Sequence, residues 1–131
     1  MTQKWGDTVY RWIPALAFML GIFIASATPA SQIHNFGTVD FFVKKAGHFS
    51  AYAGLAISYA YALGFRKPRS WVLAFLFAAL YAATDEFHQN FTSGRHPAVT
   101  DVMIDSFGAL VGLFFTSRIL RARNKRLPAS P

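Results

Sequence analysis

The sequence predicts an all-α fold: an integral membrane bundle of four transmembrane helices with both termini cytoplasmic. Three observations carry this expectation. Of the 131 residues, 53% are hydrophobic and 17% aromatic, while only 15% are charged, against roughly 25% in an ordinary soluble domain. The apolar residues fall into four blocks of near-membrane length instead of being spread at amphipathic spacing. The net charge of +7 collects at the ends of those blocks, whereas a nucleic-acid-binding domain displays its charge on a folded polar surface. No nucleic-acid partner is expected. Without cysteine, the chain has no disulfide framework, thiolate metal site or cysteine nucleophile.

The blocks give spans over about 12–28, 46–65, 71–91 and 99–120 within a single domain covering 1–131, followed by a basic cytoplasmic tail over 121–131. In the first, Pro14 falls in the opening turn, where a missing backbone donor costs little, and Pro29 ends the run. Ala25-Ser26-Ala27 also fits the small-residue pattern of a signal-peptide cleavage site, a reading that would remove this span. At 1.5 Å per residue, the first, second and fourth blocks approach the roughly 30 Å hydrocarbon core. The third reaches that length only by including Asp85 to Phe91, so its far end is polar at membrane depth.

Basic residues at the span ends set the orientation, because loops this short obey the positive-inside rule. One side carries Lys4, Arg11, Arg66, Lys67, Arg69, Arg118, Arg121, Arg123, Lys125 and Arg126; the other carries Lys44, Lys45 and Arg95. The chain is therefore expected to be multi-pass, with both termini and the turn at Arg66 to Ser70 on the cytoplasmic side. The tail from Arg118 to Arg126 suits anionic lipid.

In this orientation Asp40, Asp85, Glu86, Asp101 and Asp105 lie at or near the outward end, as do His34, His48, His88 and His96, while Asp7 alone is inside. Charges within a span cost a few kcal/mol each and usually face a partner or a wet cavity, so the outer half is where chemistry is expected. Helical spacing sorts these residues onto faces. Lys45, His48 and Tyr52 form one stripe on the second span. Tyr81, Asp85 and either His88 or Gln89 form another on the third, with Glu86 turned about 100° away. On the fourth, Asp101 and Asp105 stand above Gly108 and Gly112, a small-residue seam that lets another helix approach closely and also suits self-association.

The stretch Lys45-Ala46-Gly47-His48-Phe49 with Tyr52 and Leu55, then Tyr81, Thr84-Asp85-Glu86-Phe87-His88-Gln89, Gly94-Arg95, and Asp101 with Asp105 and Gly108, resembles the VanZ-like family of bacterial membrane proteins over about 44–112. The namesake member is associated with resistance to the glycopeptide teicoplanin. The resemblance implies a place in the bacterial cytoplasmic (inner) membrane and an envelope role, without a settled molecular activity. Many relatives carry Asn at the position of Asp105.

Two functions fit these residues. As a binding protein, the chain holds an anionic lipid or cell-wall glycolipid headgroup with Lys45, His48, Tyr52, His88, Gln89 and Arg95, the guanidinium being suited to phosphate. As an enzyme, it crowds Asp85, Glu86, Asp101 and Asp105 so that like charges and burial create an acid and a base for chemistry on a lipid-linked phosphate or sugar. A third reading treats the whole cluster as an ion-pair network that only holds helices together. No H-E-x-x-H or comparable ligand spacing occurs, so neither metal nor other cofactor is expected. The expected partner is a membrane lipid or lipid-linked envelope precursor.

Overall fold

Prolines and glycines set the helix limits. The computed structural model describes residues 8–29 and 37–126; Lys4, Asp7, His34 and the tail beyond Arg126 lie outside the described residues. Helix α1 spans Ile13–Ala27, with Pro14 in its first turn. It stops because Thr28 precedes Pro29 and is held extended at φ −73°, ψ 121°. The Thr28 hydroxyl donates back to Ile24 O at 2.9 Å, satisfying one terminal carbonyl. Helix α2 spans Thr38–Leu63 and ends at Gly64, whose φ of 93° turns its N–H onto Tyr61 O, a conformation that suits glycine. Lys67 is extended before Pro68, which opens helix α3, Pro68–Gln89. Helix α4 is Val99–Arg126. Among the described residues there is no strand.

Two helices exceed their apolar blocks. Helix α2 begins at Thr38 rather than near Ala46, its first turns carried by the i,i+4 pair Asp40 and Lys44. Helix α4 continues past Leu120 to Arg126, so the first residues of the basic tail are helical. By length and composition three helical stretches suffice to cross a membrane: Thr8–Ala27, Pro68–Gln89 and Val99–Arg126. Helix α2 is long enough but less apolar, since its buried residues include Tyr52, Ser58 and Tyr59. It packs against all three other helices; its second half, from Tyr52 onward, is mostly buried, while Val39, Phe41, Phe42 and Val43 in its first turns are exposed.

The four-residue turn over 64–67 makes α2 and α3 antiparallel neighbours. Ser70 Oγ donates to Leu63 O at 3.1 Å and Trp71 Nε1 to Phe65 O at 3.0 Å, pinning that turn. Helix α1 packs on α2 and α3 from one side and α4 from the other, with α2 and α4 parallel. Alanines make up most of the interior, including Ala74, Ala78 and Ala82 at four-residue spacing on α3, around a few larger side chains such as Tyr52 and Leu55, while Phe87, Phe107, Phe115 and Leu80 are exposed. Large apolar side chains outside and alanine inside would be unfavourable in water. In hydrocarbon it is the expected arrangement, because close backbone approach, not burial of large side chains, drives association.

The closest approach is between α2 and α4. A Cβ added at Gly112 would stand 2.9 Å from Ala53 Cβ and from Ala53 O, and one added at Gly108 would collide with the Phe49 carbonyl. The helix that takes this seam is α2 of the same chain.

Candidate functional site

The parallel pairing of α2 and α4 puts their opening turns side by side, and the polar residues of both meet there. Lys45 pairs with Asp101. One turn deeper, His48 Nδ1 lies 3.5 Å from Asp105 Oδ2, at ion-pair distance without the alignment of a hydrogen bond. Beneath them Tyr52 is fully buried, its ring 6.4 Å from that of His48 and 6.3 Å from that of Tyr81. Neither carboxylate oxygen of Asp105 nor the Tyr52 hydroxyl has a hydrogen-bond partner, although Asp105 is only 1% exposed.

The second half of the cluster joins α1, α3 and the start of α4. Asp85, buried, accepts from Ser26 Oγ at 2.8 Å and from Gln89 Nε2 at 3.4 Å. The same amide reaches Glu86 Oε1 at 3.2 Å, and Glu86 Oε2 accepts the Ala98 backbone N–H at 3.0 Å. Glu86 thus faces the bundle with Asp85 and sits at the positive end of α4, where a carboxylate is favoured. Both carboxylates on α3 are buried and hydrogen-bonded, unlike Asp105.

Arg95 does not reach this cluster with its guanidinium. Its Nε and Nη2 donate to Thr28 O at 3.3 Å each, and Nη2 also to Ala25 O at 3.1 Å. These carbonyls end α1 and lack an intrahelical partner. His88 packs against Phe23, ring centroids 4.7 Å apart, and its buried Nδ1 has no partner. The structure therefore brings together Lys45, His48, Tyr52, Asp101 and Asp105 between α2 and α4, and joins Asp85, Glu86 and Gln89 to α1 and α4. It sets Arg95 and His88 against α1, where Arg95 caps a helix end. His96 is exposed. Replacing Arg95 with Ala should loosen α1 from the bundle and cost roughly 1.5–3 kcal/mol, the range for hydrogen bonds to a charged group. The thermal unfolding midpoint in detergent measures it.

Sequence reasoning missed the part played by α1. Ser26 is fully buried on Asp85, yet in the sequence it is one small residue in Ala25-Ser26-Ala27. The available signal was a serine hydroxyl inside an apolar block, two residues before its end. Tyr81 likewise donates to Met19 O at 2.7 Å, a backbone target that no side-chain pattern announces.

A bundle of long helices that turns its phenylalanines outward and gathers carboxylates inside one end is an all-α membrane protein with an internal polar cluster. The chain belongs to the VanZ-like family: the family model described as VanZ/LLP1 matches residues 3–121, including α1 and nearly all of α4. No curated protein and no solved structure matches it.

Proposed function

We propose that this protein is a cell-envelope component of the bacterial cytoplasmic membrane, crossing it four times with both termini inside. In this reading the cluster between α2 and α4 faces outward and binds the sugar-bearing headgroup of an envelope glycolipid. The observation that carries the reading is that the buried Asp105 carboxylate, which meets only the His48 ring at 3.5 Å, and the buried Tyr52 hydroxyl make no hydrogen bond. A buried polar group without a partner costs about 1–3 kcal/mol, and groups of this kind in native proteins call for a functional account. Sugar hydroxyls supply the donors that an acceptor-only carboxylate lacks.

A bare phosphate is the poorer match. Lys45 is already paired with Asp101, and Arg95 is bound to the end of α1. Within the cluster, Asp85, Glu86, Asp101 and Asp105 face one committed cation, Lys45, and one histidine, so an added anion meets net negative charge. A headgroup entering between α2 and α4 exchanges the loosely held His48 and Asp105 contact for hydrogen bonds of its own. The acyl chains then lie along exposed side chains such as Phe107 and Met103 on α4.

Two lipids with the same tails separate sugar from phosphate. Diglucosyl-diacylglycerol should raise the unfolding midpoint of the purified protein, and phosphatidylglycerol should do so less through this site. His48→Ala, which leaves the helices intact, should lower the glucolipid affinity about tenfold. Equal stabilisation of wild type and His48→Ala by the glucolipid overturns the proposal. The orientation has its own check: a cysteine replacing Lys67 should react only with reagent that has crossed the membrane. The family relation extends the reading to glycopeptide tolerance, for which the readout is the teicoplanin concentration that stops growth of cells with and without the protein.

A further inference from the structure

At the opposite end of the bundle, a groove of about 1110 Å³ runs between the start of α3 and the second half of α4. Arg66, Arg121, Arg123 and Asn124 line its mouth. Deeper in, its walls are Trp71, Phe75, Leu113 and Phe114. The three arginines are exposed, and no carboxylate among the described residues pairs with them. This contrasts with the other end, where Lys44, Lys45 and His48 each stand against an aspartate.

We infer that this groove is a binding site for one anionic phospholipid, its phosphate held by Arg66, Arg121 and Arg123 and an acyl chain laid against Trp71, Phe75 and Phe114. Charge complementarity names the occupant. Unpaired guanidinium groups, which match phosphate with a fork of donors, crown a trough whose lining is otherwise apolar apart from Ser117 and Asn124. The dimensions agree: Leu110 to Asn124, which bound the groove on α4, rise about 21 Å along a helix. Half of the roughly 40–45 Å bilayer, hydrocarbon and headgroup region together, is the same length. The N-terminus of α3, which has no side-chain cap, adds its positive end beside Arg66. Trp71, fixed by its bond to Phe65 O, stands at the boundary where headgroup gives way to chain.

That tryptophan also reports the test. The protein is prepared with Trp5→Phe and Trp12→Phe in neutral detergent and titrated with phosphatidylglycerol carrying brominated chains, or with the matching phosphatidylcholine. Saturable quenching of Trp71 at about one phosphatidylglycerol per chain is expected, with little from phosphatidylcholine and no competition from inorganic phosphate. The combined variant Arg66→Gln, Arg121→Gln, Arg123→Gln should raise the half-saturation point at least tenfold with helix content unchanged. Native mass spectrometry of the same triple variant with all tryptophans retained should lose the bound phosphatidylglycerol that the unsubstituted chain keeps. Equal quenching by both lipids, or retention of phosphatidylglycerol by the triple variant, overturns the inference. So does a dimer that buries the groove and takes up no lipid.

Discussion

Asp105→Asn should leave the unfolding midpoint within about 1 kcal/mol of wild type, or above it, while diglucosyl-diacylglycerol affinity falls tenfold or more. A carboxylate 1% exposed with no hydrogen-bond partner contributes little to holding the fold. Exchanging such a group for a neutral one of similar volume is often neutral or stabilising. Ligand binding is different, because an amide of the same shape is uncharged and turns one of the two acceptor oxygens into a donor, so one sugar hydroxyl loses its acceptor and the other loses a charge-assisted one. The opposite pattern has a clear meaning. Removing one partner of a genuine buried ion pair costs about 3–5 kcal/mol, so a loss of that size with binding untouched makes Asp105 a brace for His48 and ends the proposed function. Thermal unfolding and lipid titration on the same two proteins decide between them.

The second large effect is on the α2 and α4 seam. Gly108→Ala should lower stability by about 1–3 kcal/mol, the usual cost of forcing atoms into a filled contact, and Gly112→Ala should cost less. Backbone obstructs both positions, but at Gly108 the new methyl would overlap the Phe49 carbonyl outright, whereas at Gly112 it would meet Ala53 Cβ and the Ala53 carbonyl oxygen at 2.9 Å, a milder overlap. Gly21 and Gly47 are the controls. Nothing lies within 4 Å of a Cβ at either, and neither has a positive φ, so alanine there should be neutral or gain about 0.5–1 kcal/mol from its better helix propensity. A uniform response across the four positions would mean that the seam does not hold the bundle.

Much of the fold was legible because a bilayer admits few solutions. Four apolar blocks separated by prolines, glycines and charges leave little choice but four helices, and Gly108 with Gly112 marked the face that would be approached. The stripes Lys45, His48, Tyr52 and Asp101, Asp105 were legible from helical period alone, and they meet as that period requires. What the sequence hid was the use made of backbone. Arg95 reads as a phosphate donor until α1 is seen to end beside it with two carbonyls exposed. Glu86 reads as facing away from Asp85 until the start of α4 brings the Ala98 N–H to it. The sorting of sign follows helix polarity: Asp40 and Asp101 occupy first turns, where the helix end is positive, and Arg95 meets the negative end of α1. That rule needs helix directions in space, which periodicity does not supply.

The manner in which α1 is held bears on how this protein can change over generations. Tyr81 addresses the carbonyl of Met19, and Arg95 addresses those of Ala25 and Thr28. Each of these grips survives any mutation that leaves α1 a helix ending at the same point. Selection on the spelling of this segment is therefore concentrated on a few side chains: Ser26, the buried Ala15 and Ile22, Met19, whose sulfur accepts from the Tyr59 hydroxyl, and Phe23 on the His88 ring. Homologous chains should diverge freely at the other positions, and a foreign apolar helix of equal length should graft into place if it carries those five residues.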